Sequence, residues 1–262
     1  MHILITNDDG IMAPGLEVLH GLASQLAGPT GEVWTVAPQS EQSGVGHCIS
    51  YTKPVLVHQY GQCKFAVEGS PADCVLAGLN NLMPYKPDLV LSGVNKGNNS
   101  AENTLYSGTI GAAMEAAMAG IPAIALSQFY GPGNTELENS FEASSNHGFD
   151  AIKACLKAGF TRAHDYALFY NINFPPVPAL NVLGMKAVAQ GYRGDGAFGA
   201  HATTAPNGRK FLFMHGRSQQ IPTQDGTDAA ANLAGYVSIT PMRANLTAQD
   251  QLGHLTQTLA EL

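Results

Sequence analysis

Two adjacent carboxylates, Asp8 and Asp9, end the first apolar run of the chain in the stretch HILITNDDGIMAPG (residues 2–15). Acids side by side at the mouth of a buried strand repel one another and raise each other's pKa unless a positive charge stands between them. A divalent cation meets that need. Two further polar, glycine-containing loops follow later strand-like runs: QSEQSGVGH, with Ser40 and Ser43, and SGVNKGNN, with Ser92, Asn95 and Asn99. Carboxylate, amide and hydroxyl oxygens form a hard donor set that suits Mg²⁺, Mn²⁺ or Ca²⁺ better than zinc. Taken alone, Asn7-Asp8-Asp9-Gly10 is equally a solvated turn, because Asn, Asp and Gly are turn residues. Its place at a strand's carboxyl end, where open α/β sheets bind their ligands, favours the metal loop.

A second feature is LYSGTIGAAMEAAMAG (105–120). Ser107, Gly108 and Thr109 open a run of helical character, and the free N–H groups of a helix start bind anions. Ser and Thr there also serve as ordinary N-caps; beside a metal loop, an oxyanion site is the better reading. Lys96 reads as a solvated loop lysine ahead of a phosphate contact. His47 suits an acid–base role or a structural hydrogen bond. GDGAFG (194–199) matches GxGxxG in letters, but no helical pattern follows, so it reads as a flexible loop. Met114 and Met118 read as core, and Cys74 as a buried small hydrophobe.

The elements that must position these groups alternate. Runs 2–6, 32–38, 88–93 and 122–127 are short, continuous and apolar; 15–27, 71–83 and 108–120 carry helical spacing, with Leu16, Leu19, Leu22 and Leu26 in the first. Buried strands separated by helices predict an α/β fold: a Rossmann-like, three-layer core around a mostly parallel sheet. Beyond it, 146–159 reads as a helix and 166–175 as a long strand. From about 181 to 240, short β-prone runs between glycine-rich turns predict hairpins, and the amphipathic tail 247–262 predicts a terminal helix. The expected organisation is one domain, with 1–127 as the site-bearing core and 128–262 as core completion, β-hairpin elaboration and oligomerisation elements.

Composition excludes several classes. Hydrophobic residues make up 45% and charged residues 13%, with a net charge of −7. No basic patch for a nucleic-acid polymer is visible. No run reaches membrane-spanning length, and Met1-His2 leads into a strand with no leader-like segment. The four cysteines show no zinc or CxxC spacing. Reduced thiols in the cytoplasm are therefore expected, and the sequons at Asn98 and Asn245 read as chance matches.

Six motifs in sequence order together resemble the SurE (stationary-phase survival protein E) family of 5′/3′-nucleotidases. They are Asn7-Asp8-Asp9-Gly10 with Ala13-Pro14-Gly15, Ala37-Pro38 with Ser43-Gly44, Gly69-Ser70-Pro71-Ala72-Asp73-Cys74-Val75, the run from Ser92 to Asn99, Tyr106-Ser107-Gly108-Thr109, and the run from Gly235 to Pro241. The resemblance implies a phosphomonoesterase that acts on nucleoside monophosphates with one divalent ion, Mg²⁺ or Mn²⁺. It implies a homodimer or homotetramer built through exchanged C-terminal elements. It places metal ligands on Asp8, Asp9, Ser43 and Asn95, phosphate contacts on Asn99, Ser107, Gly108 and Thr109, and catalysis on Asp8 and Asp9 as base or nucleophile. Gln42 stands where many members carry Arg, and 192–220 lacks the arginine and aromatic cluster associated with the family's substrate-facing hairpin. Adjacent acids, rather than DxD, favour direct attack by water activated by the ion. Two rivals are a non-catalytic nucleotide-binding protein and a receiver-like Mg²⁺-binding signalling module. The latter needs a phosphorylatable Asp and a Lys where this chain offers Asn95 and Ser127.

Overall fold

The chain begins with a strand, β1 (His2–Thr6), whose residues alternate between two cores rather than between core and water. Ile3 and Ile5 enter one hydrophobic cluster and Leu4 the other, all fully buried. Each such side chain contributes roughly 1.5–3 kcal/mol by leaving water. The computed structural model describes residues 1–163, 166–194 and 197–262.

Helix α1 (Pro14–Ala27) starts with proline at its first turn and buries Leu16, Leu19, Leu22 and Ala23, the stripe expected from helical spacing. It is followed by β2 (Glu32–Pro38), β3 (Val57–Gly61), β4 (Lys64–Val67) and α2 (Pro71–Ala77). A π turn, Gly78–Leu82, continues α2. Next come β5 (Leu89–Lys96), a 3₁₀ turn (Ala101–Tyr106), α3 (Gly108–Met118), β6 (Ala123–Gln128) and α4 (Glu142–Ala158). A two-residue pairing of β7 (Arg162–Ala163) with β8 (Tyr166–Ala167) precedes β9 (Phe169–Phe174) and β10 (Met185–Ala187). The chain closes with β11 (Phe198–Thr204), β12 (Lys210–Gly216), α5 (Asp228–Leu233), β13 (Val237–Met242) and α6 (Gln249–Ala260).

Nine strands form one sheet in the order β10-β13-β9-β6-β5-β1-β2-β4-β3. The pairs from β9 through β6, β5, β1 and β2 to β4 are parallel; β3 and β13 run antiparallel to their neighbours β4 and β9. Side chains of α1 and α4 pack on one face (Leu19, Ile152) and those of α2 and α3 on the other (Val75, Ala112). This is the predicted three-layer α/β architecture. Among the described residues no helix is long and apolar enough to cross a membrane.

Several expectations change. The strand expected over 166–175 is β9 alone, because Tyr166–Ala167 turns aside to pair with Arg162–Ala163. Among the described residues of 181–240, β11 and β12 alone pair as a hairpin; β10 and β13 pair with each other in parallel at the edge of the main sheet, which β13 joins antiparallel to β9. The β3–β4 hairpin lies at the sheet edge, where β3 is mostly exposed and carries no apolar pattern to read. Helix α4 begins at Glu142, ahead of the expected 146. Met118 is 48% exposed rather than core, whereas Met114 packs against the second cluster.

Candidate active site

β1 lies where strand order reverses: β2 flanks it on one side and β5 on the other. In such sheets the crevice at the carboxyl ends of the two diverging strands is the ligand site. Of the three candidate loops, those after β1 and β5 start there.

After β1 the Asn7 side chain closes the turn, donating to the Gly10 carbonyl at 2.9 Å and accepting from the Gly10 N–H at 3.2 Å. Asp8 and Asp9 are thereby held between two fixed points. The Gln42 N–H donates to the Asp8 carbonyl at 2.7 Å and brings the loop after β2 over the site. Asp8 Oδ1 accepts the Thr109 hydroxyl at 2.7 Å, and Oδ2 accepts the Thr109 N–H at 3.2 Å. The first carboxylate is therefore locked to the N-terminus of α3. That approach favours glycine at 108, because a Cβ there would lie a tight 3.0 Å from both Asp8 Cβ and Pro71 Cγ. Asp9 Oδ2 accepts the Lys96 N–H at 3.0 Å, which ties β1 to the end of β5.

The β5 end is shaped by Gly93, whose φ of +136° disfavours any side chain and whose Cβ would collide with the Leu126 carbonyl oxygen. The ladder to β6 shifts between Ser92 and Asn95, and this irregularity sets Asn95 facing the crevice with Asp8. Asn95 donates its amide N–H to the Gly97 carbonyl at 2.9 Å. Asn99 is buried, its side chain donating to Ser127 Oγ at 2.8 Å and its N–H to Asn173 Oδ1 at 2.7 Å. Ser107 caps α3 by accepting the Ile110 N–H at 3.1 Å; a hydroxyl used as an acceptor still has its own proton to donate.

Asp8, Ser43, Asn95, Asn99 and Ser107 line one cleft of about 170 Å³. Asp9 opens instead into a neighbouring cleft of about 540 Å³, shared with Ser40, Lys96 and Tyr130. A third, about 940 Å³, meets the site at Ser107. Ligand pockets commonly run from about 300 to 1,000 Å³, so the small cleft fits a reacting group and the larger ones the rest of a molecule. Ser43 is exposed and donates to Glu41 Oε1 at 2.7 Å. Thr109 stands behind Asp8, with both of its donors committed to that carboxylate.

Burial pushes the Asp8 carboxyl up to about 7 from an ordinary 3.8; the Asp9 charge adds to the rise, and the Thr109 hydrogen bonds offset it only in part. Asp9 is raised too, first by burial and then by Glu41, against the lowering by the Lys96 N–H and ammonium. That ammonium sits 4.8 Å from the centroid of the Tyr130 ring. Buried Asp8 and half-buried Asp9, side by side with oxygen donors around them, fit a hard divalent cation.

Other features resolve as structure. Ser70 and Asp73 form a reciprocal capping box on α2, at 3.1 and 2.8 Å, and Asp73 also holds the Ser50 N–H. His47 pairs with Glu115 at 2.6 Å beside the cleft of about 940 Å³. Within GDGAFG, Asp195 and Gly196 lie outside the described residues, and Phe198 opens a strand rather than a helix. Sequence reasoning gave Tyr106 no role beyond its place in a motif and missed Phe198; the two meet edge-on at 4.9 Å on the rim of the small cleft. The hairpin does carry exposed aromatics, Phe198, Phe211 and Phe213. An exposed Phe on a polar strand was the one available signal.

The chain resembles known proteins over nearly its whole length. A family profile described as Survival protein SurE matches residues 3–196. A protein of Jannaschia sp. (strain CCS1) named 5′-nucleotidase SurE is 62% identical over 262 residues, covering 99% of this chain and all of that one. One of the same name from Roseobacter denitrificans is 61% identical over 256 residues, covering 97% and 98%. The crystal structure of the SurE protein from Aquifex aeolicus superposes with a TM-score of 0.79 at 33% identity, covering 99% of this chain and all of that one. The chain belongs to the SurE family.

Proposed function

We propose that this chain is a divalent-metal-dependent 5′-nucleotidase, hydrolysing nucleoside 5′-monophosphates, and 3′-monophosphates as a secondary substrate, to nucleoside and phosphate. The names of its full-length relatives support the activity. The observation that carries it is the acidic pair at the sheet's switch point, buried Asp8 and half-buried Asp9, with Asp8 joined through Thr109 to a helix N-terminus. Asp8, Asp9, Ser43 and Asn95 would hold one Mg²⁺ or Mn²⁺. When bound, such an ion neutralises phosphoryl charge and makes water a stronger acid.

The protein's own part is positioning and proton transfer. Ser107 offers its hydroxyl proton and Gly108 its N–H to phosphoryl oxygens, with Asn99 beside them; Thr109 contributes by fixing Asp8. Asp9 spends Oδ2 on the Lys96 N–H, which leaves its other oxygen for the ion, and we assign uptake of the attacking water's proton to the Asp8–Asp9 pair. The water oxygen bonds to phosphorus as the bond to the ribose oxygen breaks, and the nucleoside leaves as its alcohol, protonated from solvent. The free thiols of Cys48, Cys63, Cys74 and Cys155 suit a cytoplasmic enzyme. A panel of nucleoside monophosphates with several divalent ions gives the test. Phosphate should be released from 5′-monophosphates; a protein that binds them and releases none is the non-catalytic rival instead.

Assembly belongs to the same proposal. Helix α6 buries no residue, and Leu252, Leu255 and Leu259 are 47, 53 and 60% exposed at helical spacing. An apolar stripe of this kind needs a surface to cover, and exchange between identical chains supplies one. Light scattering should therefore report a dimer or tetramer at micromolar concentration, and a chain ending at Arg243 should dissociate toward monomer. A full-length monomer would refute the assembly.

A further inference from the structure

The segment joining Asn99 to Ser107 is gripped from outside by residues that are distant in sequence. Its first residues, Ser100 and Ala101, are fully buried, and Ala101 has a φ of +52°, a region non-glycine residues seldom occupy. Asp228, itself fully buried, accepts the Ala101 N–H at 3.0 Å, and on its other oxygen the N–H groups of Gly191 and Ala229 at 2.8 and 2.7 Å. The Gln190 side chain donates to the Ala101 carbonyl at 3.0 Å. The Arg193 side chain, only 4% exposed, donates to the Ser100 carbonyl at 3.2 Å, to Ser100 Oγ at 3.1 Å and to Glu102 Oε2 at 3.3 Å. The Arg193 and Gly194 N–H groups both reach Glu102 Oε1.

We infer that Arg193 and Asp228 are positioning residues for the reaction, clasping Ser100–Glu102 so that Asn99 and Ser107 keep their places around the phosphoryl group. The inference rests on the phosphate site proposed above. Neither residue lines the small cleft, so each acts through the backbone it holds. Asn99 is fixed on the sheet side by Ser127, Asn171 and Asn173; the clasp is the matching constraint on the outer side. Without it, Ala101 is free to leave its left-handed conformation, and the turn carrying Asn103 and Tyr106 along the cleft moves with it. A shift of about 1 Å at reacting groups costs on the order of a hundredfold in rate.

The test compares Arg193→Met, Arg193→Lys and Asp228→Asn with the wild type, using 5′-AMP and p-nitrophenyl phosphate with Mn²⁺. Arg193→Met should lower kcat about 10- to 100-fold for both compounds alike and raise KM about tenfold, with the Mn²⁺ concentration for half-activation little changed. Asp8, Asp9, Ser43 and Asn95 lie outside the clasp, so metal activation is spared; general unfolding would lower apparent kcat alone, with KM unchanged, and would show as lost circular dichroism. Arg193→Lys, which keeps a donor for Ser100 or Glu102, should recover part of kcat. A folded Arg193→Met protein with kcat within about threefold of wild type, or a loss that follows Mn²⁺ activation, would overturn the inference. If Asp228→Asn does not fold, the two Arg193 variants decide. If the wild type hydrolyses neither compound, the phosphatase reading falls on its own. Calorimetry with inorganic phosphate and Mn²⁺ then judges the clasp: Arg193→Met must weaken phosphate binding about tenfold, and unchanged binding rejects it.

Discussion

Replacing Asp8 by asparagine should abolish turnover, by at least about a hundredfold, while leaving the metal-free protein as stable as before or more so. The loss follows from removing one of two carboxylates offered to the cation. The stability effect follows from burial. Asp8 is raised from 3.8 to about 7, so between those values the folded chain holds a proton that the unfolded chain has released. Its contribution to stability is most favourable below pH 4, falls as pH rises, and levels off above 7, with a slope of up to about 1.4 kcal/mol per pH unit. Asparagine cannot ionise and removes that slope. It also faces one Thr109 donor with an amide N–H, which returns part of the gain. Thermal unfolding in EDTA between pH 5 and 8 measures the difference, and phosphate release with 5′-AMP measures the activity. An Asp8→Asn enzyme with near-wild-type rates at ordinary metal concentrations would remove Asp8 from the site.

Chelation should have an effect of the same size. In excess EDTA, hydrolysis should fall to background, and adding Mn²⁺ or Mg²⁺ after the chelator is removed should restore it. The donors around Asp8 are all oxygens, which bind such ions loosely enough to strip. Lys96 cannot substitute for the ion, because its ammonium lies over the Tyr130 ring and its favourable effect on Asp9 is outweighed by burial. The cation should also raise the midpoint of thermal unfolding, because it binds only the folded arrangement, and the rise should be larger at pH 8 than at pH 6, where Asp8 is largely protonated. Full activity in EDTA, with no metal in the purified protein, would reject the metal mechanism.

The core of this protein was legible from local pattern. Continuous apolar runs such as 2–6 and 88–93, separated by helical spacing, determine buried parallel strands, since strands covered on both faces need no polar alternation. Asp8, Asp9 and Asn95 stood out because they follow apolar runs whose ends the sequence marks, and Ser107 because it opens a helical one. What lay beyond reach were partnerships between distant segments. Nothing local says that Thr109 spends both donors on Asp8, or that Glu102 and Arg193 meet across 91 residues. The C-terminal strands show the limit most plainly. Residues 185–187 and 237–242 are β-prone by composition, and composition alone suggested hairpins. Their pairing in parallel at the sheet edge is set by where α5 carries the chain. Propensity selects a strand from a few neighbouring residues, but a strand's partner is chosen by the backbone groups left unpaired elsewhere, and only the assembled sheet presents those.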